Sequence, residues 1–272
     1  MTIIDVVILS LIEGATEFLP VSSTGHLILT SALLGYGEDP FLKAFNIIIQ
    51  SGAIMAVLVL YWRRFLPNLP FYSRLAIAFT PAAVIGFLVK DKIDAILGAS
   101  SVSIVAWALI IGGIVLVLTD SERFRGRSDK ADVVDFSFAR CLALGVLQCL
   151  AFIPGVSRSG ATIIGGLWLG MNQKAAAEFS FFLGVPTLLA ASGYKILKLI
   201  RSSGGEGPDA LPPLDGHHWF LLGLGIVLSF VFALIAIRFF MALVQKYGFR
   251  HFGYYRIVVG VAILTMVYGG WL

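Results

Sequence analysis

Apolar runs alternate with short polar interruptions along almost the whole chain, and the runs come in two lengths. Six suit a bilayer: Phe41–Tyr61, Leu75–Val89, Ser101–Thr119, Ala175–Tyr194, Trp219–Ile237 and Tyr255–Leu272. Ser101–Thr119 and Trp219–Ile237 carry no charge, Phe41–Tyr61 carries only Lys43, and Ala175–Tyr194 only Glu178. Leu75–Val89 is the shortest and is flanked by Arg74 and Lys90. A hydrocarbon core of about 30 Å takes roughly 20 helical residues. Lipid offers backbone groups no partners, so each span is predicted to be a helix. Residues 3–34 and 137–169 are also apolar but break midway, at Leu19-Pro20-Val21-Ser22-Ser23 and at Ile153-Pro154-Gly155-Val156-Ser157. Each half, about 12–16 residues, is too short to cross. A helix, a break and a second helix that enter and leave on one side satisfy the pattern, so both stretches are predicted to be re-entrant hairpins.

The two breaks align without a gap. With Glu13 set on Gln148, Val21-Ser22-Ser23-Thr24-Gly25 falls on Val156-Ser157-Arg158-Ser159-Gly160, and Ala44-Phe45-Asn46 echoes Glu178-Phe179-Ser180. The expected architecture is therefore an all-α integral membrane protein, a single membrane domain over 1–272, with six transmembrane helices and two re-entrant helical hairpins. One repeat spans 1–119 (hairpin 3–34, then three spans) and the other 137–272 (hairpin 137–169, then three spans). An odd number of spans per repeat inverts the second copy, so the repeat has inverted topology.

Composition supports the class: 58% of the 272 residues are hydrophobic and 13% charged, and mean hydropathy is +0.91. The net charge of +4 is accounted for by topology, and no nucleic-acid partner is expected. The face reached after the first span collects thirteen basic residues: Arg63, Arg64, Arg74, Arg123, Arg125, Arg127, Lys130, Arg140, Lys174, Arg238, Lys246, Arg250 and Arg256. The other face collects six: Lys43, Lys90, Lys92, Lys195, Lys198 and Arg201. The first face is expected to be cytoplasmic, which opens the first hairpin to the exterior. Cys141 and Cys149, eight residues apart on one helix, stand about 12 Å apart, too far for a disulfide.

The breaks hold chemistry that a membrane segment does not keep for packing. Glu13 and Glu17 share a helix face. Two anions that close in low dielectric need a proton, a metal or another cation between them. Ionisable groups within membrane segments point to function. Ser22, Ser23 and Thr24 precede the helix that carries His26; one hydroxyl suits a helix cap, Ser23 suits a nucleophile, and His26 a general acid or base. The second break, Pro154-Gly155-Val156-Ser157-Arg158-Ser159-Gly160-Ala161-Thr162, opens a helix beside a guanidinium, and both features favour phosphate. A structural ion pair of Arg158 with Glu13 or Glu17 is the alternative reading, and such a pair does not exclude a phosphate role. Asn46 and Gln50, one turn apart, either line a polar pocket or bond neighbouring helices. Gly112-Gly113 and Gly165-Gly166 read as close helix contacts, and the five tryptophans as interfacial residues. Inverted hairpins meeting tip to tip would set acid/base groups against a phosphate cradle within lipid. A transporter or lipid-phosphate flippase on the same inverted repeat is the alternative. An intramembrane protease using Ser23 and His26 leaves Arg158 without a role.

Glu13-Gly-Ala-Thr-Glu17-Phe-Leu-Pro-Val-Ser-Ser-Thr-Gly-His26 and Pro154-Gly-Val-Ser-Arg-Ser-Gly-Ala-Thr162 resemble the two signature motifs of the bacterial undecaprenyl-diphosphatase (bacitracin-resistance) family, in order and at about the right separation. The resemblance implies a multi-pass inner-membrane phosphatase that hydrolyses undecaprenyl diphosphate to undecaprenyl phosphate and inorganic phosphate. That reaction recycles the carrier lipid for peptidoglycan synthesis and confers bacitracin resistance. By position it implies Glu17 and His26 as acid/base groups, Ser23 as nucleophile, and Glu13 as a residue that holds a divalent ion or positions water. It implies Arg158, Ser157, Ser159, Thr162 and Thr24 as diphosphate ligands. It also implies dependence on Mg²⁺ or Ca²⁺, with Glu13 and Glu17 the metal ligands on offer. The active site is expected to open to the periplasmic side. Attack by Ser23 or by an activated water, and a homodimeric assembly, are left open.

Overall fold

The structure, a computed structural model, describes residues 1–36, 39–96, 101–120, 132–202 and 214–270. Among them it contains eleven α-helices and no strand. In chain order these are α1 Ile3–Thr16, α2 Ser23–Leu33, α3 Pro40–Ile48, α4 Gln50–Leu60, α5 Leu69–Ile96, α6 Ser101–Thr119, α7 Phe138–Gln148, α8 Arg158–Trp168, α9 Gln173–Ser202, α10 Gly216–Tyr247 and α11 Arg250–Tyr268. Among the described residues, six segments are long and apolar enough to cross a membrane: Pro40–Leu60, Leu69–Val89, Val102–Thr119, Gln173–Leu197, Gly216–Tyr247 and Arg250–Tyr268. All six expected spans are there. Large apolar side chains such as Leu69, Phe87, Leu88 and Val258 are exposed, as lipid-facing residues must be.

The structure moves several boundaries, each for a local reason. The 41–61 run divides at Ile49, where Gly52 N–H bonds back to the Ile49 carbonyl at 3.0 Å and the Ser51 hydroxyl to the Ile48 carbonyl at 2.6 Å. Such back-bonding bends helices, and it separates α3 from α4. Pro81 and Pro186 lie inside α5 and α9 without ending them. The last span begins at Arg250 rather than Tyr255, and Trp271 lies outside the described residues.

α1, α2, α7 and α8 are short. Fourteen residues in α1 and eleven in each of the others make helices of about 17–21 Å at 1.5 Å per residue. Capping fixes their ends. Thr2 and Asp5 form a reciprocal capping box before α1, and the Ser137 hydroxyl accepts the Arg140 N–H before α7. α2 and α8 open alike: Ser22 accepts from Gly25 N–H, and Ser157 from Gly160 N–H. Ser22 at φ 71° and Ser157 at φ 74° are the only non-glycine residues of positive φ among those described. They are also each other's partners in the gapless alignment of the two breaks. An L-residue held left-handed costs about 1–2 kcal/mol, so the surroundings must impose it.

Helices before residue 120 pack against helices after residue 132. α1 packs on α10 and α7 on α5; α4 and α9 pack together, as do α6 and α11. Small residues allow the close approaches that drive helix association in lipid. A Cβ on Gly113 would come within 2.7 Å of the Gly253 carbonyl, and one on Gly260 within 2.8 Å of the Ala106 carbonyl.

Arg256 corrects the charge reading. Counted above as a cytoplasmic-face cation, it is 1% exposed and sits in the middle of the packed helices. Its guanidinium donates to five carbonyl oxygens: Pro20 (3.0 Å) at the first break, Gly155 and Val156 (3.0 Å each) at the second, and Ala108 (3.0 Å) and Leu109 (3.3 Å) of α6. Gly112 faces that guanidinium, where a Cβ would collide with it. One buried side chain on α11 thus ties both breaks to α6, next to the two left-handed serines.

Candidate active site

The breaks meet. The Arg158 Nη2 lies 3.1 Å from Glu17 Oε1, an ion pair whose side chains are 9% and 5% exposed. The other Glu17 oxygen accepts a short hydrogen bond from the Ser23 hydroxyl. The Ser159 hydroxyl donates to the Leu19 carbonyl at 2.7 Å, a second link between the tips. A carboxylate thus bridges a hydroxyl of one break and a guanidinium of the other.

Helix α9 holds Arg158 from behind. Its Ser180 carbonyl accepts from Nη1 at 2.9 Å, and the guanidinium rests 5.9 Å from the Phe18 ring centroid, within cation–π range. Its Nε–H is buried without a partner. Gly184 gives it room, since a Cβ there would stand 2.6 Å from Nη1. Gly184→Ala is therefore expected to displace the guanidinium while the flexible arginine absorbs the clash. Activity should fall about tenfold or more, the value of one charged hydrogen bond, with the melting temperature nearly unchanged. Steady-state rates beside a melting curve check this.

Around these groups lies a cavity of about 240 Å³, walled by Glu17, Ser22, Ser23, Thr24, Gln50, Gln148, Ser157, Arg158 and Thr187 among polar residues, with Ile153, Pro154 and Gly155 at the second tip. An anion-binding cation, a hydroxyl and a carboxylate that can take its proton share this space, the donor set of a phosphoryl-transfer site.

Comparison with known proteins agrees. The family described as Bacitracin resistance protein BacA matches residues 6–262. The chain belongs to this family. An undecaprenyl-diphosphatase of Bdellovibrio bacteriovorus is 50% identical over 99% of this chain and 98% of its own length. Proteins of the same name from Flavobacterium psychrophilum (43% identical, 98% of this chain, 96% of theirs) and Persephonella marina (43%, 98% and 100%) are similar throughout.

Within this BacA-family chain the residues singled out from sequence divide into three groups. Glu17, Ser23, Thr24, Ser157 and Arg158 wall the cavity. Glu13, Ser159 and Thr162 lie behind it. Glu13 is fully buried against the Glu17 carboxylate. The Ser159 hydroxyl is engaged with Leu19, and the Thr162 hydroxyl lies 2.7 Å from Ser180 Oγ and 2.9 Å from the Arg158 carbonyl. His26 faces elsewhere. Its Nδ1 lies 2.7 Å from the Ser22 carbonyl, its Nε2 2.9 Å from the Tyr255 hydroxyl, and its ring stacks on Tyr255 with centroids 5.7 Å apart. A carbonyl only accepts, so Nδ1 carries the proton and Nε2 receives the tyrosine's. Both nitrogens are engaged away from Ser23. Of the undecided pair, Gln50 joins the wall and Asn46 donates to Ser31 at 3.2 Å. Sequence reading missed Arg256, Gly184 and Gln148. Only Gln148 had carried a signal, its alignment with Glu13.

The donor set admits a divalent cation only in part. No group of three or more His, Cys, Asp or Glu converges among the described residues. Glu13 and Glu17 supply two adjoining buried carboxylates, and two such anions suit a cation between them. Mg²⁺ is commonly held by one or two carboxylates, waters and substrate phosphates, so these residues fit such an ion if the phosphate completes its shell.

Proposed function

We propose that this chain hydrolyses undecaprenyl diphosphate to undecaprenyl phosphate and inorganic phosphate, recycling a cell-wall carrier lipid. The observation that carries the mechanism is the Ser23–Glu17–Arg158 chain across the two breaks. Ser23 Oγ attacks the terminal phosphorus as its proton passes to Glu17 Oε2. The bond to the bridging oxygen breaks, and the lipid monophosphate leaves with that oxygen and its electron pair. Glu17 hands the serine's proton to that departing oxygen; water then attacks the phosphoserine and gives its proton to the freed carboxylate, and phosphate leaves as Glu17 returns this proton to Ser23 Oγ. Arg158, with Ser157 and Thr24, neutralises the phosphoryl oxygens, and the Ser22 cap holds α2 against the cavity. A divalent ion at Glu13 and Glu17, when bound, would screen the negative charge of the diphosphate. His26 acts on the Ser22 carbonyl and so holds the first tip in place. Ser159 and Thr162 hold the second.

The two breaks act as re-entrant hairpins of an inverted repeat. Supporting this are four helices too short to cross, the matched left-handed serines, and partners exchanged between halves. The cavity opens to the exterior of the cytoplasmic membrane: with Arg256 removed, the basic residues still divide twelve to six, four of the twelve falling outside the described residues. A flippase finds no observation here that favours it. Phosphate release by the purified protein from a polyprenyl diphosphate is the test, repeated with sealed right-side-out vesicles given substrate outside. Release in both is expected. No release by the purified protein defeats the reading, and release by inverted vesicles alone defeats the orientation.

A further inference from the structure

Gln148, the last residue of α7, is 2% exposed, and both its amide oxygen and nitrogen are buried without a hydrogen-bond partner. A buried amide left unsatisfied costs stability, and an apolar residue of the same length would avoid that. Yet Gln148 stands in the cavity wall with Glu17, Ser23 and Arg158. No hydrogen bond fixes its terminal torsion, which is broad for glutamine, so the amide is free to turn toward a ligand. The aligned residue of the first hairpin is Glu13, whose carboxylate is likewise buried, with the Glu17 carboxylate beside it. The duplicated position therefore carries a carboxylate on the arm that bears the hydroxyl and carboxylate chemistry, and a neutral donor on the arm that bears the cation. A second carboxylate at 148 would repel an anion in the same small space; an amide N–H₂ attracts it.

We propose that Gln148 is a diphosphate-binding residue whose side-chain N–H₂ donates to a non-bridging phosphoryl oxygen, completing on the second hairpin the cradle that Arg158 begins. The assignment rests on the phosphatase reading above and adds a ligand to it. The test uses the full chain in detergent, farnesyl diphosphate as substrate and methylenediphosphonate as a non-hydrolysable competitor. Gln148→Met removes the amide at constant length. It is expected to lower kcat/KM about 10- to 100-fold, the worth of a hydrogen bond to a charged group, and to leave the melting temperature equal or higher. Gln148→Glu is expected to weaken methylenediphosphonate inhibition by at least about tenfold, through like-charge repulsion. A purely structural glutamine would show the reverse, with melting temperature lowered and both constants kept. Gln148→Met with kcat/KM within about twofold of wild type, less than the smallest hydrogen-bond effect, overturns the proposal. Should that variant not fold, an unchanged inhibition constant in Gln148→Glu overturns it. Wild-type protein that releases no phosphate would sink the phosphatase reading and this proposal together, whereas an active wild type with an unaffected Gln148→Met sinks this proposal alone.

Discussion

Glu17→Gln should reduce phosphate release about 10²- to 10⁴-fold, the span general-base catalysis supplies. The amide matches the carboxylate in size and can still accept from the Ser23 hydroxyl, so the cavity should keep its shape. It cannot take the hydroxyl's proton, and it presents Arg158 with a neutral partner in place of an anion. The loss should therefore lie in kcat. KM should hold or fall, because the guanidinium no longer has to leave a carboxylate to meet phosphate. Ser23→Ala should be as severe, whereas His26→Gln, which keeps a polar link toward Ser22 and Tyr255, should be milder. Full release by Glu17→Gln, measured as inorganic phosphate from the purified variant, would remove the carboxylate from the reaction.

Arg256→Met is expected to give the largest loss of stability. The carbonyls of Pro20, Gly155 and Val156 lie outside the helices, and Arg256 reaches all three. Without the guanidinium they are buried with nothing to accept from. At about 1–3 kcal/mol for each of the three unsatisfied groups, the deficit is roughly 3–9 kcal/mol, enough to unfold many domains at ordinary temperature. Arg256→Lys should rescue little, since one ammonium has three donors and no planar fork. Thermal melting in detergent, followed by intrinsic fluorescence, would check this; a variant that melts like wild type would mean the tips are held by their other contacts alone. Where protein survives, Ser22 and Ser157 should relax from positive φ and activity should fall with them.

Much of this was legible in the chain because membranes enforce simple rules. Spans follow from apolar length, and all six are present because lipid leaves an unpaired backbone group no partner. The breaks at Pro20 and at Pro154-Gly155 are plain in the sequence, and aligning them sets Ser22 on Ser157, the two residues of positive φ. The meeting of Glu17 with Arg158 followed from the same alignment. What stayed hidden depended on direction rather than type. Arg256 looked like a flanking charge because the last apolar run in the sequence starts at Tyr255. The helix in fact starts a turn and a half earlier, at Arg250, and carries the arginine inward. His26 sits beside the hydroxyls in sequence, but the helix turns its ring to Tyr255. Gly184 carried no sign of its purpose, since the side chain it makes room for comes from another helix.

The Arg256 contacts have one further consequence. All five acceptors are peptide oxygens, which carry no charge and need no counter-ion. Salt that screens the Glu17–Arg158 bridge therefore leaves the joint between the two tips intact. That joint should ride out brine that silences the chemistry, and desalting the sample should restore turnover without any need to refold.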